Sequence, residues 1–128
     1  MIPPLALVVD DDPDIRMLVE ISMERVGGWR VVSADNAVTG IDLAREHQPT
    51  VVLMDVMMPK VDGVEAARIL LGDPKTADIP IVLLTARAVV GGEDPPWADV
   101  AIRGVIPKPF SPRTLAQEVR ALIGLDEG

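Results

Sequence analysis

The chain has 128 residues, 48% of them hydrophobic, which is enough for one domain with a substantial core and too short for two. It has no cysteine and a single histidine, His47, which excludes disulfides, thiolate metal sites and a zinc site built on histidine. A net charge of −8, a pI near 4.5 and an aromatic content of 2% argue against direct nucleic-acid binding, because the field repels phosphates and stacking platforms are scarce.

The longest apolar runs, residues 5–9 and 79–84, fall far short of the roughly 18 residues that a membrane span needs. Met1-Ile2-Pro3-Pro4 lacks the basic start of a signal peptide. A cytoplasmic protein with no membrane insertion is therefore expected.

Short β-rich runs alternate with amphipathic stretches along the whole chain. Leu5-Ala6-Leu7-Val8-Val9 is continuously apolar, as in a strand covered on both faces. It stops at Asp10-Asp11-Asp12-Pro13, where Asp12 suits a helix cap and Pro13 the first helical position. Ile15, Leu18, Val19, Ser22 and Val26 then recur at helical spacing until Gly27-Gly28. Residues 29–34 read as a second strand. Residues 36–47 read as a second helix, with Val38, Ile41 and Leu43 facing inward. A third strand over residues 50–54 ends on Asp55, and a turn with Pro59 and Asp62-Gly63 leads into a helix through Leu71. Residues 81–84 form a fourth strand ending on Thr85. A short fifth strand, Gly104-Val105-Ile106, runs into Pro107-Lys108-Pro109. Ser111-Pro112 opens the last helix, with Leu115, Val119, Leu122 and Ile123 on one face and Gly124 beyond it.

Five buried strands joined by helical crossovers imply an α/β fold, a parallel sheet with helices on both faces. Ligands in such folds sit beyond the carboxyl ends of the strands. The residues there are Asp10 and Asp11, Asp55, Thr85 and Lys108. Carboxylates converging at one edge repel each other, and a divalent cation with a preference for hard oxygen ligands, such as Mg²⁺, relieves that conflict. A carboxylate can also attack phosphorus, with the metal, a lysine and a hydroxyl stabilising the transferring phosphoryl group. Taken singly, each residue has a plainer reading: Asp10 to Asp12 as a solvated helix cap, Asp55 as a turn carboxylate, Thr85 as an ordinary strand-end hydroxyl and Lys108 as a solvated lysine. Their shared place at the strand ends favours a site.

Leu7-Val8-Val9-Asp10-Asp11-Asp12-Pro13, Val52-Leu53-Met54-Asp55-Val56-Met57-Met58-Pro59, Leu84-Thr85-Ala86 and Pro107-Lys108-Pro109-Phe110 together resemble the four signature blocks of bacterial response-regulator receiver domains. The resemblance covers essentially the whole chain and holds in order and spacing. It implies a three-layer, flavodoxin-like (βα)5 fold with strand order 2-1-3-4-5. It also implies that Asp55 accepts a phosphoryl group, that Asp11 ligates Mg²⁺ directly and Asp10 through water, and that Met57 adds its backbone carbonyl. Thr85 and Lys108 would bind the phosphoryl oxygens, and the Lys108-Pro109 bond is similar to one that is cis in the family. A histidine kinase or histidine phosphotransfer protein would donate the phosphoryl group, an unidentified protein would receive the signal, and a phosphorylation-dependent dimer is allowed. Such a domain catalyses only its own phosphorylation and dephosphorylation and is not counted as an enzyme.

Two departures stand out. Val105 occupies a position where receivers often carry an aromatic residue, and a valine cannot swing a ring between buried and exposed states. Between Arg87 and Arg103, where receivers have a fourth helix, Gly91-Gly92-Glu93-Asp94-Pro95-Pro96 disfavours helix. A loop and a short helix over residues 95–103 are expected there, with Trp97 either an exposed anchor for a partner or a cover for the core. Residues 1–128 are expected to form a single receiver domain with no output domain, either free-standing or excised.

Three rivals fit less well. An aspartate-nucleophile phosphatase would want Asp-x-Asp, but Met57 stands two positions beyond Asp55. A nucleotide or flavin binder would want a P-loop or a Gly-x-Gly-x-x-Gly turn, and neither follows any strand. A phosphorylation-independent pseudo-receiver acting as a protein-protein adaptor remains the alternative.

Overall fold

The computed structural model of the chain describes residues 2–86 and 94–125. Five strands, β1 (Leu5–Val9), β2 (Arg30–Ala34), β3 (Val51–Asp55), β4 (Ile81–Thr85) and β5 (Gly104–Pro107), form one sheet in the order β2-β1-β3-β4-β5. Every pairing is parallel. The central strands β1, β3 and β4 are buried along their whole length, as their unbroken apolar runs require.

The pleat divides these strands between two cores. Leu7, Val9, Val52, Met54, Ile81 and Leu83 point to one face, where α2 (Ala37–His47) and α3 (Gly63–Gly72) cover them. Ala6, Val8, Val51, Leu53, Val82 and Leu84 point to the other, under α1 (Pro13–Ile21) and α4 (Leu115–Ile123). The result is the three-layer α/β arrangement expected from the alternation of strands and helices, with a helical layer on each face of the sheet.

Helix starts follow local chemistry. Asp12 caps α1 by accepting from the amides of Asp14 and Ile15, with Pro13 at the first position. Asn36 caps α2 through Thr39 N at 2.8 Å, and Asp62 caps α3 through Glu65 N at 2.9 Å. The cap at Asp62 brings α3 down against the end of β3. A Cβ on Gly63 would overlap the carbonyl oxygen of Asp55.

Four expectations need correction. Val38 lies on the outer face of α2 and is 61% exposed, while Ala37, Gly40 and Ala44 line the core with Ile41. Gly40 is needed there, because a Cβ would meet Val9 at 2.7 Å. The first helix ends in a π-helical turn, Ser22–Val26, closed by Gly27 N to Ser22 O at 3.1 Å. The wider turn buries Met23 and leaves Val26 55% exposed, off the stripe that a regular helix would continue. Ser111-Pro112 introduces a turn, and regular helix begins only at Leu115. The expected short helix over 95–103 is also absent. Ala98 N to Pro95 O and Val100 N to Trp97 O make isolated turns rather than a continuous helical ladder. The glycine-rich part of that crossover lies outside the described residues. Trp97 is buried against the α3 side of the core rather than exposed, and Arg68 on α3 forks onto Asp99 at 2.8 and 2.9 Å.

Replacing Gly63 with alanine is expected to cost about 3 kcal/mol, because the new methyl meets rigid backbone. Denaturant unfolding would measure it, and an unchanged midpoint would show that α3 has room to move.

Candidate functional site

Because all five strands are parallel, their carboxyl ends share one edge. Asp10 follows β1 directly, Asp55 ends β3, Thr85 ends β4 and Lys108 follows β5. The ladder continues a step beyond the strands and fixes these positions. Asp10 N bonds Ala34 O at 3.1 Å, Val56 N bonds Leu84 O at 3.1 Å and Lys108 N bonds Thr85 O at 2.8 Å. Asp10, Asp55 and Thr85 are buried, Lys108 is half-buried and Asp11 is exposed. The peptide bond between Lys108 and Pro109 is cis, as the resemblance implied.

Asp10, Asp11 and Asp55 each place a carboxylate oxygen within 4.8 Å of the other two. Lys108 reaches over them from β5. Its Nζ lies 3.1 Å from Asp10 Oδ2 and 3.1 Å from Asp55 Oδ1. The other Asp10 oxygen takes the amide of Asp12 at 2.9 Å, and Asp55 Oδ1 also takes the amide of Met57 at 3.3 Å. Met57 is 62% exposed.

Burial raises the Asp55 carboxyl above its ordinary 3.8, and the charge of Asp10 adds to the rise. Lys108 and the Met57 amide pull it back without cancelling it. Burial alone would lower the Lys108 ammonium, yet the charges of Asp10 and Asp55 raise it above 10.5, so it stays cationic at neutral pH. These are hard oxygen donors, crowded and only partly neutralised, which fits a small divalent cation.

Asp10, Asp11, Asp55, Thr85 and Lys108, singled out from the sequence as strand-end residues, all lie at this edge. Arg16 was missed. It sits on α1, and its Nη1 donates to the carbonyl oxygen of Asp10 at 2.8 Å. Its only sequence signal is helical spacing from the cap: it lies one turn beyond Asp12, whose carbonyl its backbone amide bonds at 2.9 Å.

The response regulator receiver domain family matches residues 6–120. Over 120 residues the chain is 37% identical to the DNA-binding dual master transcriptional regulator RpaA of Synechocystis sp., covering 94% of this chain and 49% of that protein. It is 34% identical over 125 residues to the phosphate regulon transcriptional regulatory protein PhoB of Pseudomonas aeruginosa, covering 96% and 53%. The chain thus spans about half the length of the curated relatives it matches. Among solved structures, chemotaxis protein CheY4 of Vibrio cholerae superposes with a TM-score of 0.82 at 25% identity, covering 94% of this chain and 98% of that one. The receiver domain of a sensor histidine kinase from Pseudomonas aeruginosa, with a magnesium ion coordinated in its active site cleft, shares the fold with a TM-score of 0.83 at 24% identity, covering 95% and 98%.

The raised Asp55 carboxyl has a consequence for stability. The folded chain holds that proton more tightly than the unfolded chain does, so ionising Asp55 costs stability as pH rises above 3.8. In metal-free buffer, Asp55→Asn should therefore raise the melting temperature at pH 7. The gain should shrink as pH falls toward the ordinary carboxylate range, where Asp55 is protonated in both states. A variant that melts lower at pH 7 would mean that Lys108 outweighs burial.

Proposed function

The chain belongs to the response regulator receiver domain family, and on that premise we propose that it is a phosphorylation switch in which Asp55 accepts a phosphoryl group from a phosphohistidine donor. Receiver domains are signalling domains rather than classical enzymes, and this reading treats residues 1–128 as one such unit. The observation that carries it is the contact of Lys108 with both Asp10 and Asp55 at 3.1 Å, beside Asp11. That places a cation where the charge of a transferred phosphoryl group would develop.

An Asp55 oxygen forms a bond to phosphorus as the phosphorus–nitrogen bond of the donor breaks and its electron pair returns to the imidazole. Asp10, Asp11, Asp55 and the Met57 carbonyl would hold Mg²⁺, Asp10 through water. Bound there, the ion would screen the carboxylates and draw charge from the phosphoryl oxygens. Lys108 moves its bond from Asp55 to a phosphoryl oxygen. Thr85 donates its hydroxyl to another, moving toward the acceptor. Slow hydrolysis of the acyl phosphate at the same site would reset the switch.

The donor would be a histidine kinase or histidine phosphotransfer protein, and the output would go to a protein partner, including a second copy if phosphorylation drives dimerisation. No helix among the described residues is long and apolar enough to cross a membrane, and a cytoplasmic location belongs to this reading. The net charge of −8 disfavours direct contact with nucleic acid.

A phosphoramidate donor with Mg²⁺ should label the wild-type chain, and Asp55→Asn should abolish the label. Undiminished labelling of that variant would sink the assignment. Mg²⁺ at about 100 times its dissociation constant should stabilise the fold by about 2.7 kcal/mol, and chelation should remove that gain. A chain whose melting point and amide spectrum ignore both Mg²⁺ and beryllofluoride, a mimic of the aspartyl-phosphate, would instead be a pseudo-receiver adaptor.

A further inference from the structure

Asp10 and Asp11 are neighbours in the chain, yet their side chains are held in different ways. Every polar atom of Asp10 is engaged: its amide by Ala34, one carboxylate oxygen by Asp12, the other by Lys108, and its carbonyl by Arg16. Asp11 is exposed, and its carboxylate takes no hydrogen bond or ion pair among the described residues. It nevertheless sits within 4.8 Å of Asp10 and Asp55 oxygens. The backbone alone therefore aims Asp11, and the peptide that does so is the one whose carbonyl Arg16 grips.

We propose that Arg16 is a positioning residue for the acidic site: by holding the Asp10 carbonyl it fixes the Asp10–Asp11 peptide and so sets the affinity of the carboxylates for a divalent cation. This rests on the reading of Asp10, Asp11 and Asp55 as a cation site, and it adds a residue that would touch neither the ion nor the phosphoryl group.

The choice of acceptor supports a positioning role. Lys108 bonds carboxylate oxygens and competes with a cation for them. Arg16 bonds a neutral carbonyl instead and leaves the Asp11 oxygens free for metal. Its anchor is firm, since its own amide already bonds Asp12 O at 2.9 Å within α1. The helix is thereby tied to the loop that carries the acids.

Two roles for Arg16 predict opposite signs. A guanidinium acting only through its charge would repel Mg²⁺, and its removal would tighten binding. A guanidinium that positions Asp11 would weaken binding when removed, by about 10-fold, as outer-shell partners of metal ligands typically do.

The test is a Mg²⁺ titration of the full 128-residue chain by calorimetry, comparing wild type with Arg16→Met and Arg16→Lys. Arg16→Met keeps an apolar stem and loses both donor and charge, and Mg²⁺ should bind it about 10-fold more weakly. Arg16→Lys retains one donor and should recover part of that loss. In the metal-free state the melting temperatures should be similar, with amide shifts of Arg16→Met concentrated at residues 10–12. Arg16→Gln, whose side chain is too short to span to the carbonyl, gives the same readout should Arg16→Met fail to fold. Equal or tighter Mg²⁺ binding by the variants, with a wild-type chain that binds Mg²⁺ normally, overturns the role of Arg16 alone. A wild-type chain that takes no Mg²⁺ overturns the cation site as well.

Discussion

Three carboxylates crowd one end of this sheet, and a single lysine from the far side of the chain holds two of them. Lys108 and Asp10 are 98 residues apart in sequence, and their contact joins the strand at one edge to the first strand of the chain. Burial makes that arrangement unfavourable for an ionised Asp55, and Lys108 offsets only part of it. A site built in this way stores a demand for positive charge. Under the proposed function, affinity for a cation and readiness to take a phosphoryl group would both derive from the same imbalance.

The rest of the fold serves to bring those groups to one place. Parallel pairing is what sends every strand end to the same edge, and parallel pairing requires crossovers that cover both faces. Close approach of the helices then depends on small residues at a few contacts. Gly40 lets α2 lie on Val9, and Gly63 lets α3 begin against the carbonyl of Asp55. The helix that starts beside Asp55 is thus coupled to it through backbone rather than through a side chain.

The crossover from β4 to β5 departs most from a regular α/β unit. Proline and turn structure replace helix over residues 95–100, and two anchors hold the segment: Trp97 in the core and the Arg68–Asp99 pair on the surface. Exposed ion pairs contribute little, so the buried indole supplies most of the hold. Val105 packs on the same cluster as Trp97. With valine there, the buried aromatic ring of this cluster comes from the crossover rather than from β5.

Local chemistry in the sequence was sufficient to place the strands, to identify Asp12 as a cap, and to mark Asp10, Asp11, Asp55, Thr85 and Lys108 as strand-end residues. Apolar runs, capping side chains and proline act over a few residues, so they can be read in one dimension. Side-chain exposure could not be read in that way. Val38 and Val26 fit a helical stripe by spacing, but α2 buries Ala37, Gly40, Ile41 and Ala44 instead, and the π-helical turn after α1 leaves Val26 outward. Trp97 had two readings until packing in the α3-side core buried it, and the helical spacing of Arg16 from the cap did not reveal that its guanidinium reaches the Asp10 carbonyl. Those outcomes depend on which surfaces meet across the sheet, and only the packed chain determines that.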